Sequence, residues 1–202
     1  MVIIKPSVQA MVDAGEPIRL DLGCGGSCRT GWVSLDRSEA VDPDILCDLE
    51  VDGIPLPDSS VDEVRAIAIL EHMTRPLAIT DEIWRVCKDK ALVDIVVPHW
   101  SSDEAHLDPT HKSFFAEYSY QYFDRRMAGY QVNSYGVKGA YDIVAMTLEF
   151  KEPLAGDPLG DWKKPAEAER IRSHINMRNH IRWRLQVVKE QENEGSVDNK
   201  LG

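Results

Sequence analysis

The stretch Leu20-Asp21-Leu22-Gly23-Cys24-Gly25-Gly26 decides the fold. Together with the preceding residues it predicts a β-strand over 18–22 that ends directly in glycines. Glycine adopts the left-handed backbone conformation without a Cβ penalty, so Gly23 and Gly25 permit a sharp turn and a close approach by a ligand. The carboxylate of Asp21 at the strand end can accept hydrogen bonds from a ligand ammonium group. Any tight turn can use Gly-x-Gly, so the motif alone also fits a simple strand and turn.

Outside this stretch, short apolar runs alternate with helical patterns. We predict further strands at 32–36, 45–48, 61–68, 91–97, 141–150 and 181–187, and helices at 6–15, 78–87 and 165–177. The run 181–187 alternates apolar and charged residues, which predicts one exposed face, as at a sheet edge. Lys88-Asp89-Lys90 is expected to be a loop. Strands alternating with helices predict a doubly wound α/β sheet, in which ligands bind beyond the carboxyl ends of the strands.

Two more acids follow predicted strands. Asp36 ends the second strand, where a carboxylate can bind both hydroxyls of a ribose. Asp48 follows the third strand, where it can accept a hydrogen bond from an adenine amino group while Leu49 packs on the ring. Each acid alone is more often a solvated loop residue. Acids at the ends of three successive strands, however, indicate a nucleoside site.

The segments LDLGCGG, VSLDRS, CDLE, IPLPDSSVDEV and ILEHM follow one another in this order. In order and spacing the chain resembles the class I S-adenosylmethionine-dependent methyltransferases, particularly the small methyltransferase-11-like group, over about residues 17–125. The resemblance implies that Asp21, Gly23 and Gly25 contact the methionine part of S-adenosylmethionine. It also implies that Asp36 binds the ribose and that Asp48 and Leu49 bind the adenine. A final set, expected to line the methionine side near the sulfonium, is Ala66, Ile67 and Ala68.

We therefore expect an α/β fold with a doubly wound, mostly parallel, seven-stranded Rossmann-like sheet and an antiparallel last strand. Only residues 26–31 separate the glycine turn from the second strand, so the first crossover helix is expected to be short or missing. This spacing also argues against a nicotinamide-dependent oxidoreductase, which needs Gly-x-Gly-x-x-Gly leading into a helix. Cys28 occupies the position of that last glycine. A second alternative is a non-catalytic protein that binds S-adenosylmethionine or a nucleoside.

The histidine-rich stretch after the fifth strand, residues 98–115, is expected to overhang the transferred methyl group. Methylation of an oxygen or nitrogen releases a proton, and imidazole titrates near neutrality, so His111 and His99 are the candidate general bases, His111 slightly ahead. Equally, Asp108 could cap a helix that starts at Pro109, with His111 merely in its first turn. The histidine spacing matches no specific metal motif, so no metal is predicted. His72 is expected to have a structural or supporting role.

Composition sets the remaining expectations. The 202 residues fit one domain and carry a net charge of −11, which argues against non-specific nucleic-acid binding. Residues 163–189 are locally basic, so binding to an anionic partner remains an alternative. The sequence does not predict the oligomeric state. No long apolar run and no signal peptide are evident, so we expect a cytoplasmic protein without a membrane span. We divide the chain into an N-terminal extension (1–16), a methyltransferase-like domain (17–190) and a flexible tail (191–202).

Overall fold

A computed structural model describes residues 1–127, 136–150 and 178–189. Within these residues one sheet contains eight strands: β1 (Ile3–Ile4), β2 (Arg19–Leu22), β3 (Val33–Asp36), β4 (Ile45–Leu46), β5 (Val61–Ile67), β6 (Cys87–Pro98), β7 (Tyr141–Phe150) and β8 (Arg178–Val187). The α-helices are α1 (Pro6–Ala14), α2 (Leu49–Asp52), α3 (Pro76–Val86) and α4 (Glu104–Leu107).

The strand order is β1-β4-β3-β2-β5-β6-β8-β7. Strands β4, β3, β2, β5 and β6 are mutually parallel, whereas β8 runs antiparallel to both β6 and β7. The order reverses beside β2, since β3 lies on one side of it and β5 on the other. Such a reversal opens a crevice at the carboxyl ends of the strands, directly beyond the glycine turn.

The strand sequences explain their positions in the sheet. The last four residues of β6, 95–98, form a buried apolar run, as expected for a strand covered on both faces. In β8, Ile181, Trp183 and Leu185 are fully buried while the intervening Arg182 and Arg184 are exposed. Helix α3 begins at Pro76, whose fixed φ suits a first helical position, and buries Ile79 and Ile83 against the sheet.

The mostly parallel α/β sheet with an antiparallel last strand is confirmed, with three corrections. An eighth strand, β1, comes from the predicted N-terminal extension and pairs antiparallel with β4. β8 has one exposed face, but it lies between β6 and β7 and the edge strand is β7, so the edge prediction is wrong. The expected loop 88–90 is part of β6, where the pairing with β5 shifts register and Lys90 has a φ of 63°.

The chain after β6 contradicts one prediction, and part of it lies outside the described residues. No helix starts at Pro109; instead α4 ends at Leu107, and the Asp108 carboxylate accepts hydrogen bonds from the Thr110 amide and hydroxyl. The predicted helix 165–177 and the tail 191–202 lie outside the described residues. Within the ranges that are described, no helix has the length and apolar content needed to cross a membrane.

Candidate functional site

The glycine turn closes the carboxyl end of β2. Gly23 has a φ of 64°, and a Cβ at this position would lie 2.6 Å from Cδ1 of Ile69. The Gly23 amide donates to the Leu35 carbonyl at 2.8 Å, which fixes the turn to β3. Only a single 3₁₀ turn, Gly25–Ser27, occupies the place of the first crossover helix, as the short spacing predicts. Backbone conformation and close packing therefore both require glycine at position 23.

Asp36 ends β3 facing the glycine turn. One carboxylate oxygen accepts from the Gly25 amide and the other from the Ser38 amide, both at 2.9 Å. These two bonds fix the orientation of the carboxylate. A carboxylate oxygen can accept more than one hydrogen bond, so both oxygens retain capacity for a pair of ligand hydroxyls.

Asp48 and Leu49 lie where β4 gives way to α2. The Asp48 side chain caps α2 by accepting from the Glu50 amide at 3.0 Å, while Leu49 is buried beside it. The helix begins here because Asp is a favoured N-cap residue. An acidic group and an apolar side chain thus come together at one end of the crevice.

A cavity of about 210 Å³ lies between these elements. Five of the predicted donor-binding residues line it: Gly23, Asp36, Asp48, Leu49 and Ala68. We call these five residues the strand-end wall. Ala68 has a φ of 52°, a conformation that costs a non-glycine residue energy and that often occurs at functional sites.

The other four predicted donor-binding residues do not line this cavity. Asp21 is buried and its carboxylate lies 3.3 Å from the Arg65 guanidinium. Burial raises the pKa of Asp21, and Arg65 opposes that rise. Gly25 acts through its hydrogen bond to Asp36. Ala66 is fully buried in β5 between neighbouring strands, and Ile67 ends that strand half-buried.

Other residues that line the cavity were not assigned to the donor site by the sequence prediction. We call His72, Met73 and Thr110 the loop wall. The remaining lining residues are Leu35, Arg37, Cys47, Glu50 and Ile69. Arg37, Glu50 and Ile69 each directly follow a residue of the strand-end wall, so sequence adjacency could have found them. Thr110 approaches the cavity from a distant loop and had no such signal.

The two histidines predicted as bases have different surroundings. His99 is fully buried: Nδ1 accepts from the Ser101 amide at 3.2 Å, and Nε2 lies 3.3 Å from the Glu117 carboxylate. Because Nδ1 accepts, the ring proton is on Nε2 and is donated to Glu117. The His99 side chain therefore makes its hydrogen bonds inside the protein.

His111 lies instead beside the loop wall. Its ring meets that of His72 edge-on, with centroids 4.7 Å apart, and its Nδ1 lies 3.0 Å from the Ala105 carbonyl. Behind His72 is Glu71, whose side chain is only 2% exposed. Burial raises the pKa of Glu71 to about 7, and burial lowers the pKa of His72. The structure thus brings together Glu71, His72 and His111, a combination absent from the sequence prediction.

Two cysteines lie beside the glycine turn. The Sγ atoms of Cys24 and Cys28 are 2.7 Å apart, and both thiols are free. Burial raises the pKa of Cys24 to about 12, helped by the neighbouring Cys28 thiol and by Asp36. A thiol with such a pKa stays protonated near neutrality and is not a nucleophile.

No family model matches the chain, and no curated protein matches it in sequence. The fold has clear counterparts among solved structures. A SAM-dependent methyltransferase from Archaeoglobus fulgidus is 16% identical, with a TM-score of 0.57 over 89% of this chain and 93% of that one. The 16S rRNA (adenine(1408)-N(1))-methyltransferase W203A mutant with cosubstrate SAM, from Catenulisporales acidiphilia, is 15% identical, with a TM-score of 0.52 over 94% of each chain.

The [4+2]-cyclase SpnF is 14% identical, with a TM-score of 0.53 over 91% of this chain and 82% of that one. At such identities the likeness concerns the fold alone, and proteins named for different reactions share it. The strand order and the cavity beyond the glycine turn agree with this likeness. The chain therefore has the fold of the class I S-adenosylmethionine-dependent methyltransferases.

Proposed function

We propose that the chain is an S-adenosylmethionine-dependent methyltransferase that transfers a methyl group to an oxygen or nitrogen of its acceptor. The observation that carries the proposal is the strand-end wall. Gly23, Asp36, Asp48, Leu49 and Ala68 lie at the ends of four different strands and line one cavity. The sequence resemblance assigns each of them to the donor. A protein of the same fold, the rRNA methyltransferase above, was solved with cosubstrate SAM, which also supports the proposal.

Each group in the cavity suits one part of the donor. Asp36 is oriented by two amides and has capacity for the ribose hydroxyls. Asp48 and Leu49 offer an acceptor and an apolar surface to the adenine. Buried Asp21 lies beneath the glycine turn and would act on the methionine ammonium electrostatically or through water. Transfer then requires in-line approach of the acceptor to the methyl group, so positioning supplies most of the catalysis.

We propose different roles for the two candidate histidines. His99 makes hydrogen bonds at both ring nitrogens and is fully buried, which supports a structural role in holding the loop after β6. His111 contacts His72, and His72 lines the cavity. A group that handles the proton released by the acceptor must act near the methyl group. His111 is therefore the better candidate of the two.

The two rival functions are opposed by separate observations. A nicotinamide-dependent oxidoreductase needs a helix N-terminus directly after the glycine turn to bind the pyrophosphate. Here that place holds only the short 3₁₀ turn Gly25–Ser27. A binder without turnover would share the donor cavity but has no need of His72 in the loop wall, so transfer activity separates it from an enzyme.

Donor binding is the first test. Calorimetry should show S-adenosylhomocysteine binding in the micromolar range, roughly −7 to −8 kcal/mol, and NAD should not compete. Gly23→Ala should weaken this binding, since Gly23 has a positive φ and lies against Ile69. The matched control is Gly26→Ala, where a Cβ meets nothing within 4 Å. Saturable NAD binding without a response to S-adenosylhomocysteine would contradict the proposal.

Methyl transfer is the second test. Tritium transfer from labelled S-adenosylmethionine should be screened over acceptor pools of small metabolites, sugars, nucleosides and proteins. An acceptor that gains label in the presence of wild-type protein, and gains less with Gly23→Ala, supports an enzyme. Tight donor binding without transfer to any pool would favour the non-catalytic binder.

A further inference from the structure

Glu71, His72 and His111 form a compact cluster behind the cavity. One potential ligand atom from each residue lies within 4.8 Å of the others. Backbone hydrogen bonds hold the two contributing segments together, because the amides of Lys112 and Ser113 both donate to the Glu71 carbonyl, at 2.7 and 3.0 Å. These bonds hold the loop that carries His111 directly against the 3₁₀ turn Leu70–His72, which carries Glu71 and His72.

The Glu71 carboxyl group has neither a Lys or Arg beside it nor a hydrogen-bond donor among the residues that the structure describes. Both of its oxygens are buried, and neither has a hydrogen-bond partner among the residues that the structure describes. Nor does Glu71 form an ion pair with a Lys or Arg within residues 1–127, 136–150 and 178–189. A buried carboxylate without partners is costly, so such groups are usually paired or bound to a cation.

Hydrogen-bond direction defines the protonation of both histidines. The Thr110 hydroxyl donates its single proton to the Asp108 carboxylate at 2.7 Å, so it must accept the hydrogen bond that joins it to His72 Nδ1 at 2.9 Å. His72 therefore carries its proton on Nδ1. His111 Nδ1 faces the Ala105 carbonyl, which can only accept, so this nitrogen is protonated as well.

In its neutral form each ring then has a lone pair on Nε2 that can bind a metal ion. Metal-binding histidines usually show this arrangement, in which one ring nitrogen donates to a carbonyl, a carboxylate or another acceptor and the other nitrogen binds the ion. Here Ala105 supplies one acceptor, and the Thr110 hydroxyl, itself bonded to Asp108, supplies the other. The cluster combines two oriented imidazoles with a carboxylate that has no other partner.

We propose that Glu71, His72 and His111 bind one divalent first-row transition-metal ion. Two imidazole nitrogens with one carboxylate are typical of Zn²⁺ and its neighbours, whereas Mg²⁺ and Ca²⁺ prefer oxygen ligands. Three protein ligands leave a coordination position open, as in catalytic sites of this kind. His72 lines the cavity, so the ion lies next to the region where an acceptor must meet the donor. The metal site does not depend on the proposed methyl transfer, but an ion on Nε2 of His111 would occupy the nitrogen that could otherwise take the acceptor proton, so the two roles of His111 belong to the metal-bound and the metal-free protein.

Metal binding should be measured on the full chain after treatment with a chelator. Competition with a chromophoric chelator gives the Zn²⁺ stoichiometry and affinity, and visible absorption of the Co²⁺ form reports imidazole coordination. We expect one equivalent of Zn²⁺. His111→Ala and Glu71→Gln should each weaken binding by about 100-fold or more, because even loss of a supporting partner costs about 10–100-fold. Thr110→Val should weaken binding by about tenfold through the same effect.

The matched control is His106→Ala. His106 belongs to the same loop but is exposed and stacks on Phe114, outside the cluster. Its removal should leave Zn²⁺ affinity unchanged. Less than one equivalent bound by the wild type, or equal affinity in the wild type and His111→Ala, would overturn the proposal. Circular dichroism tests whether each variant folds. If Glu71→Gln does not fold, the Zn²⁺ affinities of His111→Ala and Thr110→Val test the proposal.

S-adenosylhomocysteine binding to the metal-free protein should be measured in parallel. It should be the same in the wild type and His111→Ala, because the strand-end wall does not include His111. A variant that loses Zn²⁺ binding but still binds S-adenosylhomocysteine is therefore altered only at the cluster. A protein that binds Zn²⁺ but not S-adenosylhomocysteine would contradict the proposed function and leave the metal proposal unaffected.

Discussion

The two walls of the cavity are built in different ways. In the strand-end wall, each residue ends a strand or follows one within three residues, and the backbone amides of Gly25 and Ser38 hold the Asp36 carboxylate. The loop wall depends on contacts between segments far apart in sequence, such as the bond between His72 and Thr110. Local motifs therefore encode the strand-end wall, whereas tertiary contacts assemble the loop wall. Four substitutions test this difference, in order of expected effect.

His111→Ala should have the largest effect, on turnover. Loss of a group that handles a proton in the transition state costs about 10²–10⁴-fold. Donor affinity should stay within about twofold, since His111 is absent from the strand-end wall. Single-turnover tritium transfer with an acceptor from the screen measures the first quantity, and calorimetry the second. A folded His111→Ala protein with full activity would leave positioning by the strand-end wall as the sole source of catalysis.

His99→Ala should show the reverse pattern. Its removal leaves the buried Ser101 amide and the Glu117 carboxylate without this partner and opens a cavity, which together cost about 2–4 kcal/mol of unfolding free energy. Urea denaturation measures this loss. His106→Ala, at an exposed site, should change stability by less than about 0.5 kcal/mol. At low temperature, where His99→Ala stays folded, turnover should be near that of the wild type; a loss as large as that of His111→Ala would assign His99 a role in the reaction.

Asp36→Ala tests the strand-end wall alone. It removes charge-assisted hydrogen bonds to the ribose, each worth about 1.5–3 kcal/mol, so S-adenosylhomocysteine affinity should fall at least about tenfold. The control is Asp42→Ala, whose side chain is 89% exposed and pairs with Lys5 away from the cavity. Zn²⁺ affinity should be equal in both variants. Unchanged donor affinity in folded Asp36→Ala would mean that the ribose binds elsewhere.

The elements behind the strand-end wall could be predicted from the sequence, whereas the role of that wall in binding a donor stays a prediction. Strand ends, glycines and acids are local signals, and five predicted residues line one cavity. The missing crossover helix was also visible, because the spacing between Gly26 and Gly31 is too short for one. The expected exposed face of 181–187 was confirmed, but its place at an edge was wrong. Alternating apolar and charged residues show that one face of a strand is buried, but they do not indicate which strands lie beside it. Here β7 pairs with the side of β8 that faces away from β6.

The loop side could not be predicted in the same way. His99 and His111 look alike in sequence, yet one is enclosed by Ser101 and Glu117 and the other contacts His72. The surroundings of the two histidines differ because of tertiary contacts of the loop, which no local sequence pattern specifies. The proposed cap of a helix at Pro109 failed because the Asp108 carboxylate instead bonds Thr110 within a turn. That turn orients His72, a residue for which the sequence indicated only a supporting role.

An ion pair links the segments that carry the two walls. The Lys112 ammonium lies 2.8 Å from the Glu50 carboxylate, and Glu50 also accepts from the Thr74 amide. The Lys112 hydrogen bond, followed by the Thr74 amide, lowers the pKa of Glu50 from 4.5 to about 2. Since the folded-state pKa lies below the ordinary value, this interaction stabilises the fold above about pH 4.5. The stabilisation is lost as the pH falls through about 2.

Lys112→Gln should therefore have the smallest effect, and that effect should depend on pH. The Lys112 side chain is 44% exposed, so solvent screening limits the loss of unfolding free energy to about 0.5–1 kcal/mol at pH 7. The difference from the wild type should shrink below pH 4.5, because the Glu50 carboxylate then becomes protonated in the unfolded chain and, in the variant, in the folded chain too. Urea denaturation across this range measures it, with Lys90→Gln, 79% exposed, as the control. Equal stability of Lys112→Gln and wild type at every pH would mean that the Lys112–Glu50 ion pair does not stabilise the fold.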